Sequence, residues 1–470
     1  MPSRVLLISA NRCTTPEPVF PLALAHLHAA LRNAGHECRC LDVLSTTEPL
    51  SEIVRQFQPD LVGISIRNID DVIIRQGETF FGESVELCRT LKQLGQYPVV
   101  LGGSGFSIFP RELLELSGAD FGIAGEGESA LLELVHSLQE NVDYSRIDGL
   151  VFRRDGRTFF NAPRSRPFAR EITLADRPES LTSHYLRASG VLNLQTQRGC
   201  GLRCCYCTYP VVEGRSHRRY PPEAVAAELE TLSGAGARYA FIVDSVFNSS
   251  PRHVREICEA VLRRGVKMSW GCFLRPKGLT PELMQLMARA GLSHIEFGCD
   301  SFCDEVLESY QKDFTFADIR HSAHLAREAN VDACFFLIAG GPGETMATLR
   351  QSNANSLELG ASAIMAVVGM RIYPDTALHE LALREGRLRV DTDLLQPHFY
   401  LAAGLEADAV FEQLQEFARH SPNWIVGTPN PAYLKLISRL RQRGVVGPLW
   451  SYFSAIQRLW PAGATGGPIP

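Results

Sequence analysis

Apolar and polar positions alternate in a regular way through the first 140 residues. Short apolar runs at 5–10, 37–43, 61–66, 98–101 and 120–124 have the length of buried strands. Between them, 22–34 and 83–94 carry apolar residues at helical spacing. Strands separated by helices predict βαβ units and a parallel sheet covered on both faces. Small or polar residues follow the predicted strands: Ser9 and Asn11, Ser65 and Asn68, Gly102 and Gly103, then Gly125, Glu126 and Gly127. Open α/β sheets bind ligands beyond the carboxyl ends of their strands, and glycine there lets backbone approach a ligand closely. The expectation for residues 1–140 is an α/β, flavodoxin-like (Rossmann-type) binding domain.

Residues 141–190 break the rhythm. They are rich in Arg and Pro and read as a short hairpin followed by an extended linker. From 191 the alternation returns, with strands expected at 192–196, 239–243, 268–273, 294–298, 333–338 and 363–370. Helical patterns at 222–232, 281–290 and 316–329 separate them. Six such units over 191–400 suit a complete or partial TIM-type (β/α)6 barrel with its chemistry at the carboxyl ends of the strands. Residues 401–470 hold helical patterns at 407–419 and 432–442 and end in GATGGPIP, expected to be disordered. Aromatic residues of this segment, among them Phe399, Tyr400, Trp424, Tyr433, Trp450, Tyr452 and Phe453, fit either a cover over an apolar substrate or ordinary packing.

Charge changes the picture only by exclusion. The net charge of -5 over 470 residues lacks the basic balance of a nucleic-acid binder. No apolar run is long enough for a membrane span, and MPSRVLLISAN turns polar too soon for a signal peptide. The expected location is the cytoplasm. There, thirteen cysteines are not expected to form disulfides. Cys38, Cys40, Cys88, Cys258, Cys272 and Cys334 stand singly in apolar stretches and read as small buried hydrophobes.

One group does not. QTQRGCGLRCCYCTYP places Cys200, Cys204 and Cys207 in C-x3-C-x2-C spacing just after an apolar strand, with Cys205 crowding the assignment. A [4Fe-4S] cluster normally takes four thiolates, so three on one loop leave one iron open, as catalysis requires. A zinc loop would want a fourth Cys or His at paired spacing, and no second C-x2-C exists.

That spacing, with Tyr206 before the last cysteine, resembles the radical S-adenosylmethionine (SAM) superfamily. The resemblance implies that the cluster's open iron binds SAM and that an electron then splits it to a 5'-deoxyadenosyl radical. It also implies SAM contacts at Asp244 (in FIVDSVF), at Asp300 and Ser301 of Gly298-Cys299-Asp300-Ser301, and at Gly341, Pro342, Gly343 and Glu344 of the GGPGET turn. Glu344 alone would also suit a helix start, where an acid meets the dipole. Arg275 and Lys312 stand where relatives carry basic residues.

Together with VVLGGSGFS, the Gly125–Glu128 run and Val19-Phe20-Pro21-Leu22, the chain resembles the cobalamin-binding radical SAM proteins over roughly residues 4–400. Cobalamin would then lie against Ser65, Asn68, Gly102, Gly103, Gly125, Glu126 and Gly127. No D-x-H-x-x-G stands in the chain to supply a lower axial histidine, and His36 follows Gly35 in another context. The Arg67-Asn68-Ile69-Asp70 segment looks closest to a subgroup near lipid (ladderane-type) biosynthesis genes. The resemblance implies methyl transfer to an unactivated carbon of a small-molecule or lipid-like substrate, with an external flavodoxin- or ferredoxin-type electron donor. Radical cyclisation or rearrangement without methyl transfer is the alternative. A methylated-cysteine mechanism and an auxiliary cluster are disfavoured, because no cysteine follows Cys334.

Overall fold

The computed structural model describes residues 2–14, 18–163, 175–427 and 431–452. The GATGGPIP tail and Phe453 lie outside the described residues. Seven strands form the first sheet: β1 (Arg4–Ser9), β2 (Glu37–Asp42), β3 (Leu61–Ser65), β4 (Val99–Gly102), β5 (Phe121–Ile123), β6 (Leu150–Arg154) and β7 (Arg157–Phe160). Their order is β2-β1-β3-β4-β5-β6-β7, with β1 to β5 parallel. This is the flavodoxin-like order, whose strand sequence reverses beside β1 and β3. Strands β1 and β3 are buried along nearly their whole length, which explains their continuous apolar sequence. Helices α1 (Leu22–Asn33), α2 (Leu50–Phe57), α3 (Phe81–Leu94), α4 (Ser104–Ile108), α5 (Pro110–Ser117) and α6 (Glu128–Glu140) complete the unit.

The segment expected to be a hairpin and linker is more structured. β6 and β7 add to the first sheet as an antiparallel edge, with the Phe152 and Phe159 rings stacked 5.3 Å apart. Residues Glu179–Ala188 form helix α7, anchored by buried Leu181 and Tyr185. β6 and β7 are the expected hairpin, whereas frequent Arg and Pro masked the helix.

The second sheet runs β8 (Val191–Leu194), β11 (Tyr239–Ile242), β12 (Ser269–Leu274), β13 (Leu292–Asp300), β14 (Asp332–Ala339), β15 (Ala363–Val368) and β18 (Trp424–Val426). Between these lie two small ribbons, β9 (Gln197–Arg198) with β10 (Arg218–Arg219) and β16 (Met370–Arg371) with β17 (Phe399–Tyr400). Every neighbour pair in the large sheet is parallel and in chain order, and its two end strands do not pair, so it is an open, partial barrel. The barrel has seven strands rather than six. Its seventh comes from the segment read as purely helical, because three residues are too few to show a period of two. Trp424, 1% exposed, fixes that strand against Phe417.

Ordinary packing also accounts for other late aromatics. Tyr400 is buried, and Trp450 closes the amino-terminal end of the barrel against His294 while donating to Glu296 Oε1 at 3.1 Å.

The two units are joined by buried polar contacts. Tyr185 of α7 donates to Asp42 at the end of β2, and Asn193 Nδ2 donates to the Phe20 carbonyl at 2.9 Å. Arg371 Nε meets Asp70 Oδ2 at 2.8 Å, with side chains 3% and 0% exposed.

Candidate active site

The cysteine loop leaves β9 through Gly199, whose φ is +87°. A Cβ there would stand 2.2 Å from the Ser216 carbonyl, so glycine is required. The loop is then pinned by backbone bonds from Cys200 N to Gly214 O (3.0 Å) and from Cys205 N to Tyr310 O (3.1 Å). Cys200, Cys204 and Cys207 line a cavity of about 550 Å³ at the carboxyl ends of the barrel strands. Cys205 does not. Its thiol is buried on the far side, 3.9 Å from the Met370 sulfur.

Cys200 is close enough to raise the thiol pKa of Cys204, and both raise that of Cys207, yet the three sulfurs are not gathered within 4.8 Å as they would be around a single ion. That spread fits a polynuclear cluster rather than zinc. Burial pushes the Cys207 thiol up to about 12 and raises Cys204 as well. Thiolates at this depth need a cation beside them, which cluster iron supplies.

The opposite wall carries Arg275 and Lys312, and both line the cavity. Arg275 pairs through Nη1 with Asp313, while its buried Nε has no hydrogen-bond partner. An orphaned guanidinium N–H facing three cysteines fits a ligand carboxylate such as that of SAM. Lys312 is committed elsewhere. Its ammonium holds Asp300, the Gly298 carbonyl (3.1 Å) and the Tyr206 hydroxyl (3.3 Å). Tyr206 in turn donates to Asp300. Burial works against the Lys312 charge, but Asp300 outweighs it and holds the pKa well above the usual lysine range.

Several residues expected to touch SAM stand one layer behind the cavity wall. Asp300 adopts φ +68° and is spent on Tyr206 and Lys312. Ser301 is buried against Ser352 and the Cys303 N–H. Asp244 is fully buried and accepts from Thr196 N (2.7 Å), Thr196 Oγ1 (2.5 Å) and Gln197 N (3.3 Å). Burial lifts it to about 7 in spite of those donors. Its place is to fix the start of the cysteine loop.

The GGPGET turn also braces from behind. Gly341 N donates to Tyr310 Oη at 3.0 Å, a Cβ on Gly341 would lie 2.4 Å from that oxygen, and Pro342 and Gly343 continue the turn past Ser309. Glu344 does not open the helix. Thr345 caps it with a capping box to Thr348, and the Glu344 carboxylate folds back onto the Gly340 N–H, buried and raised to about 7.

In the first unit, Ser65, Gly102 and Gly103 stand at the carboxyl ends of β3 and β4. Gly102 and Gly103 are half-buried with their backbone accessible, and Gly103 takes φ +99° over the Ile66 carbonyl. Asn68 donates to the Cys13 sulfur at 3.4 Å. Arg67 is exposed, although Tyr209, Cys13 and Tyr185 surround its guanidinium and burial lowers its pKa. The carboxyl ends of β3 and β4 thus offer a glycine edge that suits a large, flat, partly polar cofactor.

The 125–128 run is used differently. Gly125 and Gly127 lead into α6, and Glu126 and Glu128 meet the barrel's Arg198, at 3.5 and 2.6 Å, with Glu126 also on Arg218. Sequence reasoning missed Arg198 and the cavity-lining Arg203 and Tyr209. Arg203 and Tyr209 belong to the cysteine loop itself, but their residue types carry no spacing signal, and the partners of Arg198 come from a distant segment.

Comparison with known proteins agrees with this geometry. Residues 9–135 match the family described as B12 binding domain, and residues 194–352 match the radical SAM superfamily. Tryptophan 2-C-methyltransferase of Streptomyces laurentii is 25% identical over 79% of this chain and 73% of its own length. Anaerobic magnesium-protoporphyrin IX monomethyl ester cyclase of Cereibacter sphaeroides is 26% identical over 71% of this chain and 55% of its own. The solved radical SAM methyltransferase TsrM from Kitasatospora setae, with cobalamin and a [4Fe-4S] cluster bound, superposes with a TM-score of 0.88 over 98% of both chains at 23% identity.

Proposed function

From a chain that is a radical SAM protein with a B12-binding domain, we propose a cobalamin-dependent methyltransferase that uses a [4Fe-4S] cluster and SAM to methylate carbon. One observation carries the reading. The cavity lined by Cys200, Cys204 and Cys207 is also lined by Tyr209, whose short helix packs on α4 of the first unit, and Arg198 of the adjoining β9 pairs with Glu126 and Glu128. Cofactors held on the two sheets would therefore share one space. When bound, the cluster supplies reductive cleavage of SAM, and cobalamin carries the methyl group.

The chain's own residues do the rest. Arg275 offers its orphaned N–H to the SAM carboxylate. Tyr206, Asp300 and Lys312 keep the cysteine loop rigid. Gly102 and Gly103, with Ser65 and Asn68, form the cobalamin edge, and Phe273 and Phe314 keep water from the cavity. In this reading 1–140 is the cobalamin unit, 141–190 the connection, 191–400 the radical SAM unit and 401–470 its completion. The substrate is a small molecule, with a lipid-like acceptor as the narrower reading from the 67–70 segment. An external flavodoxin- or ferredoxin-type protein supplies the electron, and the enzyme works in the cytoplasm. Among the described residues no helix is long and apolar enough to cross a membrane.

Methyl-labelled SAM tests this under anaerobic reduction, with product masses followed. Label in the product together with S-adenosylhomocysteine and 5'-deoxyadenosine is expected. The cyclase resemblance supports a second reading, cyclisation or rearrangement. That reading gives 5'-deoxyadenosine and no label in the product. Replacing all three cysteines with Ala abolishes the cluster's absorbance, and its retention would refute the site.

A further inference from the structure

The sequence pattern casts Cys38 and Cys40 as lone buried hydrophobes, but the fold brings them together with a histidine. Side chains two apart on a strand share one face, and on β2 that face turns toward α1. The buried side of α1 includes His28. One ligand atom each from His28, Cys38 and Cys40 fall within 4.8 Å of one another. His28 is 6% exposed and Cys40 also 6%, with Cys38 half-buried.

A second observation points to a ligand. His28 Nδ1 is buried and makes no hydrogen bond, although Asp176 Oδ2 lies 3.1 Å away. The Asp176 side chain is 46% exposed and also meets Arg32 Nη1 at 3.5 Å, so its charge is balanced, whereas the buried His28 nitrogen is left without a hydrogen bond, which is costly unless a ligand takes it.

We propose that His28, Cys38 and Cys40 bind a single zinc ion, with the Asp176 carboxylate, which lies beside His28 but outside their 4.8 Å group, moving in as the fourth ligand. Two sulfurs, one imidazole nitrogen and one carboxylate oxygen make the four-ligand set that zinc takes in closed sites. Thiolates disfavour calcium and magnesium, which want oxygen. Binding converts two thiols to thiolates and releases two protons to solvent, while zinc keeps its oxidation state. With every position filled by protein, the site is structural. It ties residue 176, where the chain approaches α7, to the outer strand of the first sheet. The cluster cysteines lie on another loop, so the inference stands or falls independently of the methyltransferase reading.

The experiment uses the full-length holoprotein, purified anaerobically, loaded with zinc chloride and freed of excess metal. Metal analysis is expected to give about one zinc per chain, and X-ray absorption at the zinc edge two sulfur neighbours at ~2.3 Å. The zinc persists in the variant with Cys200, Cys204 and Cys207 all changed to Ala. It is lost in C38S/C40S while iron content stays unchanged. If that variant fails to fold, His28→Asn is the second test, with zinc affinity expected to fall at least tenfold in competition with a chromophoric chelator. Less than about 0.2 zinc per wild-type chain, undiminished zinc in the variants, or Cys38 and Cys40 joined as a disulfide in the native protein each overturn the proposal.

Discussion

Changing Glu128 to Gln tests how the two units are held together. Glu128 sits at the start of α6 and reaches Arg198 of the barrel at 2.6 Å, with side chains 26% and 11% exposed. Burial alone would raise its pKa, but the Arg198 guanidinium outweighs burial and holds it at about 2, against an ordinary 4.5. A difference of about 2.5 pH units corresponds to about 3 kcal/mol, at 1.36 kcal/mol per unit. The sign follows from the direction. A carboxylate with a depressed pKa stabilises the fold above its unfolded value, and that stability is lost as pH falls from about 4.5 toward 2. Gln keeps the shape and loses the charge, so E128Q should be less stable than wild type by about 3 kcal/mol at pH 7, with the gap closing below pH 4.5. Anaerobic urea unfolding, monitored by tryptophan fluorescence and by cluster absorbance, measures it. A gap below about 0.5 kcal/mol at pH 7, or one unchanged at pH 3, would show that Arg198 gains nothing from Glu128.

Three further outcomes follow from the site. Gly103→Ala forces a Cβ within 2.5 Å of the Ile66 carbonyl at φ +99° and should cost more than about 1 kcal/mol while lowering cobalt content, read by metal analysis. Asp244→Asn should keep SAM cleavage within about fivefold, because an amide still accepts from Thr196 N and donates to Thr196 Oγ1. A hundredfold loss of SAM affinity would instead put Asp244 on the cofactor. Lys312→Met strands the buried Asp300 carboxylate and should cost about 3–5 kcal/mol, whereas K312M/D300L should recover much of that in thermal unfolding.

What the sequence revealed depended on how local each signal was. The three cysteines could be identified because one loop carries them all. The parallel order could be anticipated because strands such as VLLIS and LVGIS are apolar throughout and are separated by helices. The seventh barrel strand was hidden because 424–426 is three residues long and, among the described residues, pairs with β15, some sixty residues earlier. Asp244, Asp300 and Glu344 stand near the cavity without lining it. A motif records that a carboxylate stands beside a site, not whether its oxygens face the cavity or, as here, Thr196, Lys312 and Gly340. Arg198 and the His28–Cys38–Cys40 cluster left no local trace, since each is assembled from segments brought together by folding.

The Asp70–Arg371 pair has a consequence for how the protein is made. Its members are separated by 301 residues. A ribosome adding ~5–20 residues per second needs roughly 15–60 s to supply the second after the first. During that interval Asp70 is a hydrated charge in the middle of an uncovered docking face. A bare apolar face would invite contact with other nascent chains, while a charged one resists dehydration by anything that lacks a matching guanidinium. In the folded protein the other N–H groups of Arg371 are held by the carbonyls of Ile372 and Leu394, which are made after it. The face is therefore closed by Arg371 on one carboxylate oxygen and Tyr373 on the other, and the charge that delays burial during synthesis selects the correct mate at the end of it.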